Sequence, residues 1–236
     1  MINVFIKIKR NNGKCSYYET FLFKGDINSS IASVLEEINS KERLINILGN
    51  HASPILWECG CLQKKCGACA MVINGVPSLA CSTFLKDISN KDKIVTIEPL
   101  SKFPIVKDLI VDRENIFKKM VENHLWLEKT AKINLNIIDS EYQSSKCLMC
   151  GCCLEICPNF SEKSEFLGAL GMVNIFKLIN QSPNNDHKNK IINNYNKNYY
   201  DKCGKSLSCH HVCPINLPIE EMLINSNRII VWGKKL

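Results

Sequence analysis

The sequence predicts an α+β protein built from two modules, a strand-rich one over residues 1–104 and a helical one over 105–236. Three observations carry this expectation. Alternating and β-branched runs fill the first part of the chain. Apolar residues recur at helical intervals after Pro104. The cysteines, fourteen in all, fall in tight clusters in both parts.

The elements follow in order. Residues 2–9 and 15–23 read as two strands around the Asn12–Gly13 turn. IASVLEEIN, residues 31–39, has helical spacing, with Ser29 and Ser30 placed to cap it. A cysteine-rich loop covers 59–69, AMVIN reads as a strand ending at Asn74–Gly75, and KIVTIEPL reads as another. Hairpin, helix, cysteine loop and returning strands predict a β-grasp ferredoxin module. IVKDLIVDRENIFKKMVENHLWL, residues 105–127, has apolar residues at helical intervals, and the later cysteines lie between helical stretches. Residues 180–200, rich in Asn and Lys, read as a surface excursion that need not pack.

Composition narrows the function. At 45% hydrophobic the chain can bury a core. The opening MINVFIKIKR alternates like a strand and has neither a signal-peptide core nor a transit-peptide pattern. The cysteines are therefore expected to be thiolate metal ligands in a reducing compartment rather than a disulfide framework. No apolar run is long enough to span a bilayer. The best, FLGALGMVNIFKLI, is short and interrupted by Asn174 and Lys177. Membrane contact should be peripheral or through partners. The formal charge is +7. Three cysteine-ligated clusters at about −2 each would reduce it to about +1. The charge reads as a solvated surface, and no nucleic-acid partner is expected.

Cysteine spacing carries the chemistry. Cys61, Cys66, Cys69 and Cys81 are spaced C-x4-C-x2-C-x11-C, the plant-type [2Fe–2S] pattern. Gly60 and Gly67 allow the backbone close to the cluster. Cys59 fits the spacing worse. A structural zinc site would pair its cysteines two to four residues apart, which the long fourth interval does not. Cys147, Cys150, Cys153 and Cys157, followed by Pro158, match the bacterial ferredoxin run C-x2-C-x2-C-x3-C-P. Substituting Cys152 for Cys153 breaks that spacing. The stretch CGKSLSCHHVCP aligns with a second run through Cys203, Cys209, Cys213 and Pro214, but serine occupies position 206.

In two-cluster ferredoxins the fourth cysteine of each run ligates the other cluster. Cys147, Cys150, Cys153 and Cys213 are then expected to hold [4Fe–4S]. Cys157, Cys203 and Cys209 are expected to hold [3Fe–4S], because a hydroxyl seldom holds cluster iron. A Ser206 alkoxide holding a fourth iron is the rival reading. His210 and His211 are expected beside the site rather than as ligands, and Cys15, Cys59 and Cys152 stay unassigned. The chain has no Gly-rich phosphate loop and no nucleophile–base signature, so it should move single electrons between partners that do the chemistry.

A [2Fe–2S] module followed by a helical two-cluster module with one ligand missing resembles the iron–sulfur subunits of succinate dehydrogenase and fumarate reductase. KCGACAMVINGVPSLAC, PLSKFPIVKDLIVDR and CHHVCPINLP resemble that family's first-cluster, inter-domain and last-cluster segments. The resemblance implies a flavoprotein partner bearing FAD and the succinate/fumarate site. It also implies a membrane anchor or other quinone-reactive subunit, with quinone near the [3Fe–4S] cluster. Electrons would run from FAD through [2Fe–2S] and [4Fe–4S] to [3Fe–4S] and quinone, or in reverse for fumarate reduction. The expected place is peripheral, on the cytoplasmic side of the inner membrane.

Departures temper the analogy. LQKK follows Cys61 where the family commonly has Arg-Glu-Gly. NFSEK follows Cys157–Pro158 without the tryptophan of many ubiquinone-linked members, and Gly204 stands where those members often carry histidine. These features favour menaquinone or a non-quinone partner, and the fumarate-reducing direction. The competing classes are a soluble or thiol-linked reductase subunit and a zinc-binding structural module.

Overall fold

In the computed structural model, residues 1–88, 93–133, 135–183 and 185–233 are described. The chain forms two compact units, Met1–Asp112 and Arg113–Leu236.

The first unit begins with β1 (Ile2–Asn11) and β2 (Ser16–Gly25), paired antiparallel from Ile2 opposite Gly25 to Asn11 opposite Ser16. At the turn, Gly13 adopts φ +87°, and the Asn12 side-chain oxygen accepts from the amides of Lys14 and Cys15. A side-chain acceptor and a residue free to take positive φ are what such a tight turn requires. Helix α1 (Ile31–Asn39) is capped by Ser30, whose Oγ accepts from Ser33 N at 3.1 Å.

β3 (Ala70–Ile73) and β4 (Val76–Leu79) form a second hairpin, followed by a 3-10 turn at Ala80–Ser82 and the short helix α2 (Leu85–Ile88). β5 (Ile94–Glu98) returns to complete a five-stranded sheet of order β2-β1-β5-β3-β4. β5 runs parallel to β1 and antiparallel to β3. Alternation buries Val4, Ile6 and Ile8 of β1 together with Phe21, Phe23, Val95 and Ile97. Ile31, Ala32, Val34, Leu35 and Ile38 of α1 are buried too, and each of the larger ones, Ile, Val and Leu, contributes roughly 1.5–3 kcal/mol. The arrangement is a mixed sheet with a covering helix, as the sequence indicates.

Residues 105–112 differ from the helical reading. β6 (Ile105–Lys107) and β7 (Ile110–Val111) pair with each other. The cause is Arg10, at the buried end of β1. Its guanidinium bonds Asp108 Oδ2 and Glu19 Oε2, each at 2.9 Å, as well as the carbonyls of Ser53 and Pro54. Asp108 also accepts from the amides of Leu56 and Asn11. A buried cation needs a partner, and this one comes from residue 108. These bonds tie residue 108 into the first compact unit, which ends at Asp112.

In the second unit α3 (Glu114–Glu122) and α4 (Ile138–Ser145) precede the short α5 (Cys152–Glu155). α6 (Gly168–Gln181) is buried on nearly every side and packs against α4, α5, α7 (Asn185–Tyr195) and α9 (Ile219–Ile230). A helix apolar all round belongs inside a core. The longest apolar run of the sequence is thus a central core helix, and no helix among the described residues is long and apolar enough to cross a membrane.

The Asn/Lys-rich segment is also packed, contrary to its reading as a surface excursion. α7 continues into a π-helical turn at Asn196–Tyr200, and His187, Ile191, Tyr195 and Tyr199 are all buried. Asn198 donates to Asn123 Oδ1 at 2.8 Å, and the Tyr195 hydroxyl donates to Asn227 Oδ1 at 2.6 Å. One further short helix, α8 (Ser208–His211), carries Cys209.

Candidate iron–sulfur cluster sites

The first set lies at the β3–β4 hairpin. Ala70 pairs with Leu79, so Cys69 just before β3 and Cys81 just after β4 come together at one end of the hairpin. Ala80 N donates to Cys69 O at 3.0 Å and fixes that end. This register is the reason for the long interval between the third and fourth cysteines.

The preceding loop turns its amides onto sulfur. Gln63 N and Lys65 N approach Cys61 Sγ, both at 3.3 Å. Cys61 N and Ala68 N lie 3.4 and 3.5 Å from Cys66 Sγ, and Lys64 N lies 3.4 Å from Cys81 Sγ. Leu62, Lys64 and Gly67 reach this geometry through positive φ. Successive inward amides make an anion-binding concavity, here lined with sulfur. The Gln63 and Lys65 amides lower the Cys61 thiol to about 7. Burial, with Cys81 beside it, pushes Cys69 up to about 12. Gly60 leaves little space for a side chain, since a Cβ there would lie 3.2 Å from Cys66 Sγ. Cys59 is exposed, as is Cys66.

Two further sets appear in the helical unit. Cys147, Cys150, Cys153 and Cys213 line one small cavity of about 20 Å³, walled by Leu170, Val173 and Leu217. Cys157, Cys203 and Cys209 line another of the same size, together with Ser206. The fourth cysteine of each run therefore faces the other run's cavity. Met149 and Gly151 take positive φ where the first run bends around its cavity. Leu217 N approaches Cys213 Sγ at 3.4 Å. Burial raises the Cys147 and Cys209 thiols to about 11. Such thiols ionise readily only beside positive charge, which cluster iron would provide.

Ser206 sits at the exposed lip of the second cavity, and Ser208 Oγ donates to its hydroxyl at 3.3 Å. Gly204 is packed against Asn159, whose Oδ1 would lie 2.9 Å from an added Cβ. A histidine at position 204 would require Asn159 to move. Cys203 Sγ has a neighbour the sequence did not point to, the Tyr199 hydroxyl at 3.7 Å. Its only advance signal was burial spacing, four residues beyond Tyr195.

The unassigned residues fall elsewhere. Cys152 is fully buried and lines neither cavity; its thiol bonds the Cys150 sulfur, which lowers the Cys150 pKa to about 7. Cys15 is exposed at the β1–β2 turn. His210 and His211 touch each other edge-on and line neither cavity. Among the described residues, no group of three or more His, Cys, Asp and Glu is placed to hold a single metal ion. In the helical unit the cysteines instead line two small cavities, three or four to each, which suits multi-iron clusters better than single ions. All-thiolate donor sets, inward amides and the missing Cβ at Gly60 fit iron–sulfur clusters.

Comparison with known proteins agrees. Residues 3–118 match the family described as a 2Fe-2S iron-sulfur cluster binding domain, and residues 143–217 match the 4Fe-4S dicluster domain. The succinate dehydrogenase iron–sulfur subunit of Bacillus subtilis is 30% identical over 222 residues, covering 90% of this chain and 85% of that protein. The fumarate reductase iron–sulfur subunit of Wolinella succinogenes is 31% identical over 208 residues, covering 80% and 83%. An uncharacterized iron–sulfur protein of Methanocaldococcus jannaschii is 31% identical over 97% of this chain, which spans 44% of that longer protein. In fold, the chain is similar to one from the Mycobacterium smegmatis Sdh1 complex in the apo form. That match has a TM-score of 0.80 at 17% identity and covers 98% of this chain and 97% of the other.

Proposed function

Because this chain belongs to the iron–sulfur subunits of succinate dehydrogenase and fumarate reductase, an electron-transfer family, we propose a ligand assignment and a set of partners for it. Cys61, Cys66, Cys69 and Cys81 hold [2Fe–2S]. Cys147, Cys150, Cys153 and Cys213 hold [4Fe–4S], and Cys157, Cys203 and Cys209 hold [3Fe–4S]. The observation that carries the proposal is the exchange of Cys157 and Cys213 between the two cavities, with a serine at the remaining corner. When bound, the clusters take up and pass on single electrons between the FAD of a flavoprotein subunit and a quinone.

The protein's own residues hold and tune these groups. Inward amides at the first site offset thiolate charge. Apolar walls keep water from the [4Fe–4S] site. The exposed lip at Gly204–Ser206 gives the third site an edge reachable from outside. The complex is placed at the cytoplasmic side of the inner membrane, reached through an anchor or other quinone-reactive partner. Menaquinone and the fumarate-reducing direction fit position 204, where glycine stands in place of the histidine that many ubiquinone-linked members carry.

The test is anaerobic purification of the chain with its partner subunits, followed by iron and sulfide analysis and electron paramagnetic resonance. A three-iron signal when oxidised, and menaquinol-dependent fumarate reduction, are the expected results. Two [4Fe–4S] centres without a three-iron signal would overturn the assignment. Zinc without iron and sulfide would mean a structural zinc module. A second reading, a reductase subunit with a non-quinone partner, is favoured by NFSEK after Cys157–Pro158 and by Gly204, where the sequence departs from many ubiquinone-linked members. Activity with thiol donors, and none with quinols, would establish it instead.

A further inference from the structure

The segment after α6 brings a buried phenol to the third cysteine set. His187, Ile191, Tyr195 and Tyr199 recur every fourth residue, and all are buried. Past α7, the π-helical turn at Asn196–Tyr200 carries Tyr199. Such turns are rare and occur frequently at functional sites. The Tyr199 ring stacks on Phe166 with centroids 5.6 Å apart and tilts against Tyr195 at 5.1 Å. Two of its groups engage a single cysteine. Its carbonyl accepts from Cys203 N at 2.9 Å, and its hydroxyl lies 3.7 Å from Cys203 Sγ.

A free thiol could donate to that phenol oxygen. A thiolate bound to iron has no proton, so with a cluster in place the hydrogen must come from the phenol. Phenols are protonated at neutral pH, and Tyr199 is buried beside two aromatic rings. We propose that Tyr199 is a positioning residue of the third cluster site, donating a hydrogen bond to the ligand sulfur of Cys203 and raising the reduction potential there. This rests on the reading that Cys157, Cys203 and Cys209 hold a cluster. The direction follows from charge. A donor at a ligand sulfur withdraws electron density and favours the reduced, more negative state. The same residue orients Cys203 through its carbonyl, so ring, backbone and hydroxyl hold one ligand from one side.

Tyr195 is the internal control. It is as deeply buried and belongs to the same aromatic stack, but its hydroxyl donates to Asn227 Oδ1 at 2.6 Å and not to sulfur. The experiment is a redox titration of the three-iron signal by electron paramagnetic resonance. It uses the purified complex carrying the wild-type chain, Tyr199→Phe or Tyr195→Phe. Tyr199→Phe keeps the ring and removes the donor. The expected result is a lower midpoint potential and a changed line shape in Tyr199→Phe, with both unchanged in Tyr195→Phe. Loss of the three-iron signal in Tyr199→Phe alone also supports the role. An unshifted potential in Tyr199→Phe, or equal shifts or equal losses in both variants, overturns it and leaves only packing. A wild-type complex without any cluster at this set overturns the underlying assignment, an outcome distinct from all of these.

Discussion

Asp108→Ala should open the first unit locally by about 3 kcal/mol, and the structure sets that size. The Asp108 side chain is 3% exposed and that of Arg10 is 2% exposed. Removing one partner of a buried ion pair typically costs about 3–5 kcal/mol. Arg10 keeps Glu19 and the carbonyls of Ser53 and Pro54, which places the loss at the low end. The amides of Leu56 and Asn11 lose their acceptor as well.

Hydrogen exchange on the cluster-loaded protein reads the change directly, because it reports local opening without unfolding the chain. At about 1.4 kcal/mol per decade, exchange at Leu56, Asn11 and Leu109 should speed up by at least ~100-fold. Leu109 reports because its amide bonds the Leu56 carbonyl at 3.1 Å. Asp108→Asn, which keeps one acceptor oxygen, should fall between. Burial alone would raise the Asp108 pKa, but the bonds from Arg10, Leu56 and Asn11 hold it below its ordinary value. Its contribution is therefore complete above about pH 4 and lost as pH falls through the depressed folded value. The difference between wild type and Asp108→Ala should shrink over that acid window. An acceleration below tenfold at neutral pH would show that Arg10 is adequately paired without Asp108, and the reasoning would fail.

Other outcomes follow from the same structure. Cys213→Ala should remove the [4Fe–4S] signal before the [3Fe–4S] signal; a normal [4Fe–4S] centre in that variant rules out the exchanged ligands. Ser206→Cys should convert at least part of the three-iron centre to [4Fe–4S] with a lower potential, read by spectroscopy and redox titration. A centre that stays three-iron under added iron and sulfide would mean that position 206 does not face the vacant corner. Gly168 has φ +62°, and an added Cβ would meet Leu154 Cδ2 at 2.3 Å. Gly168→Ala should therefore destabilise the helical unit by roughly 2–4 kcal/mol, combining left-handed strain with overpacking. Unchanged thermal stability would contradict that geometry.

Much of this protein is written locally. Cysteine spacing points to the cluster types, because most ligands of each proposed cluster come from one short run. The alternation of Val4, Ile6 and Ile8 and the Ser30 cap determine their elements, because pleat and helix period act within a few residues. Even the placing of Cys213 beside the first run's cavity and Cys157 beside the other accords with the general habit of paired ferredoxin runs. What the chain could not declare depends on residues far apart. Ile105–Val111 has the apolar content of a helix, yet it forms two short strands because Arg10, nearly a hundred positions earlier, needs Asp108. A buried charge overrides local preference. The Asn/Lys-rich stretch reads as solvated by composition, yet four residues spaced by four, His187, Ile191, Tyr195 and Tyr199, turn inward. Average polarity hides such a stripe, and only packing, of Tyr199 on Phe166 and of Tyr195 against Asn227, brings Tyr199 to the Cys203 sulfur.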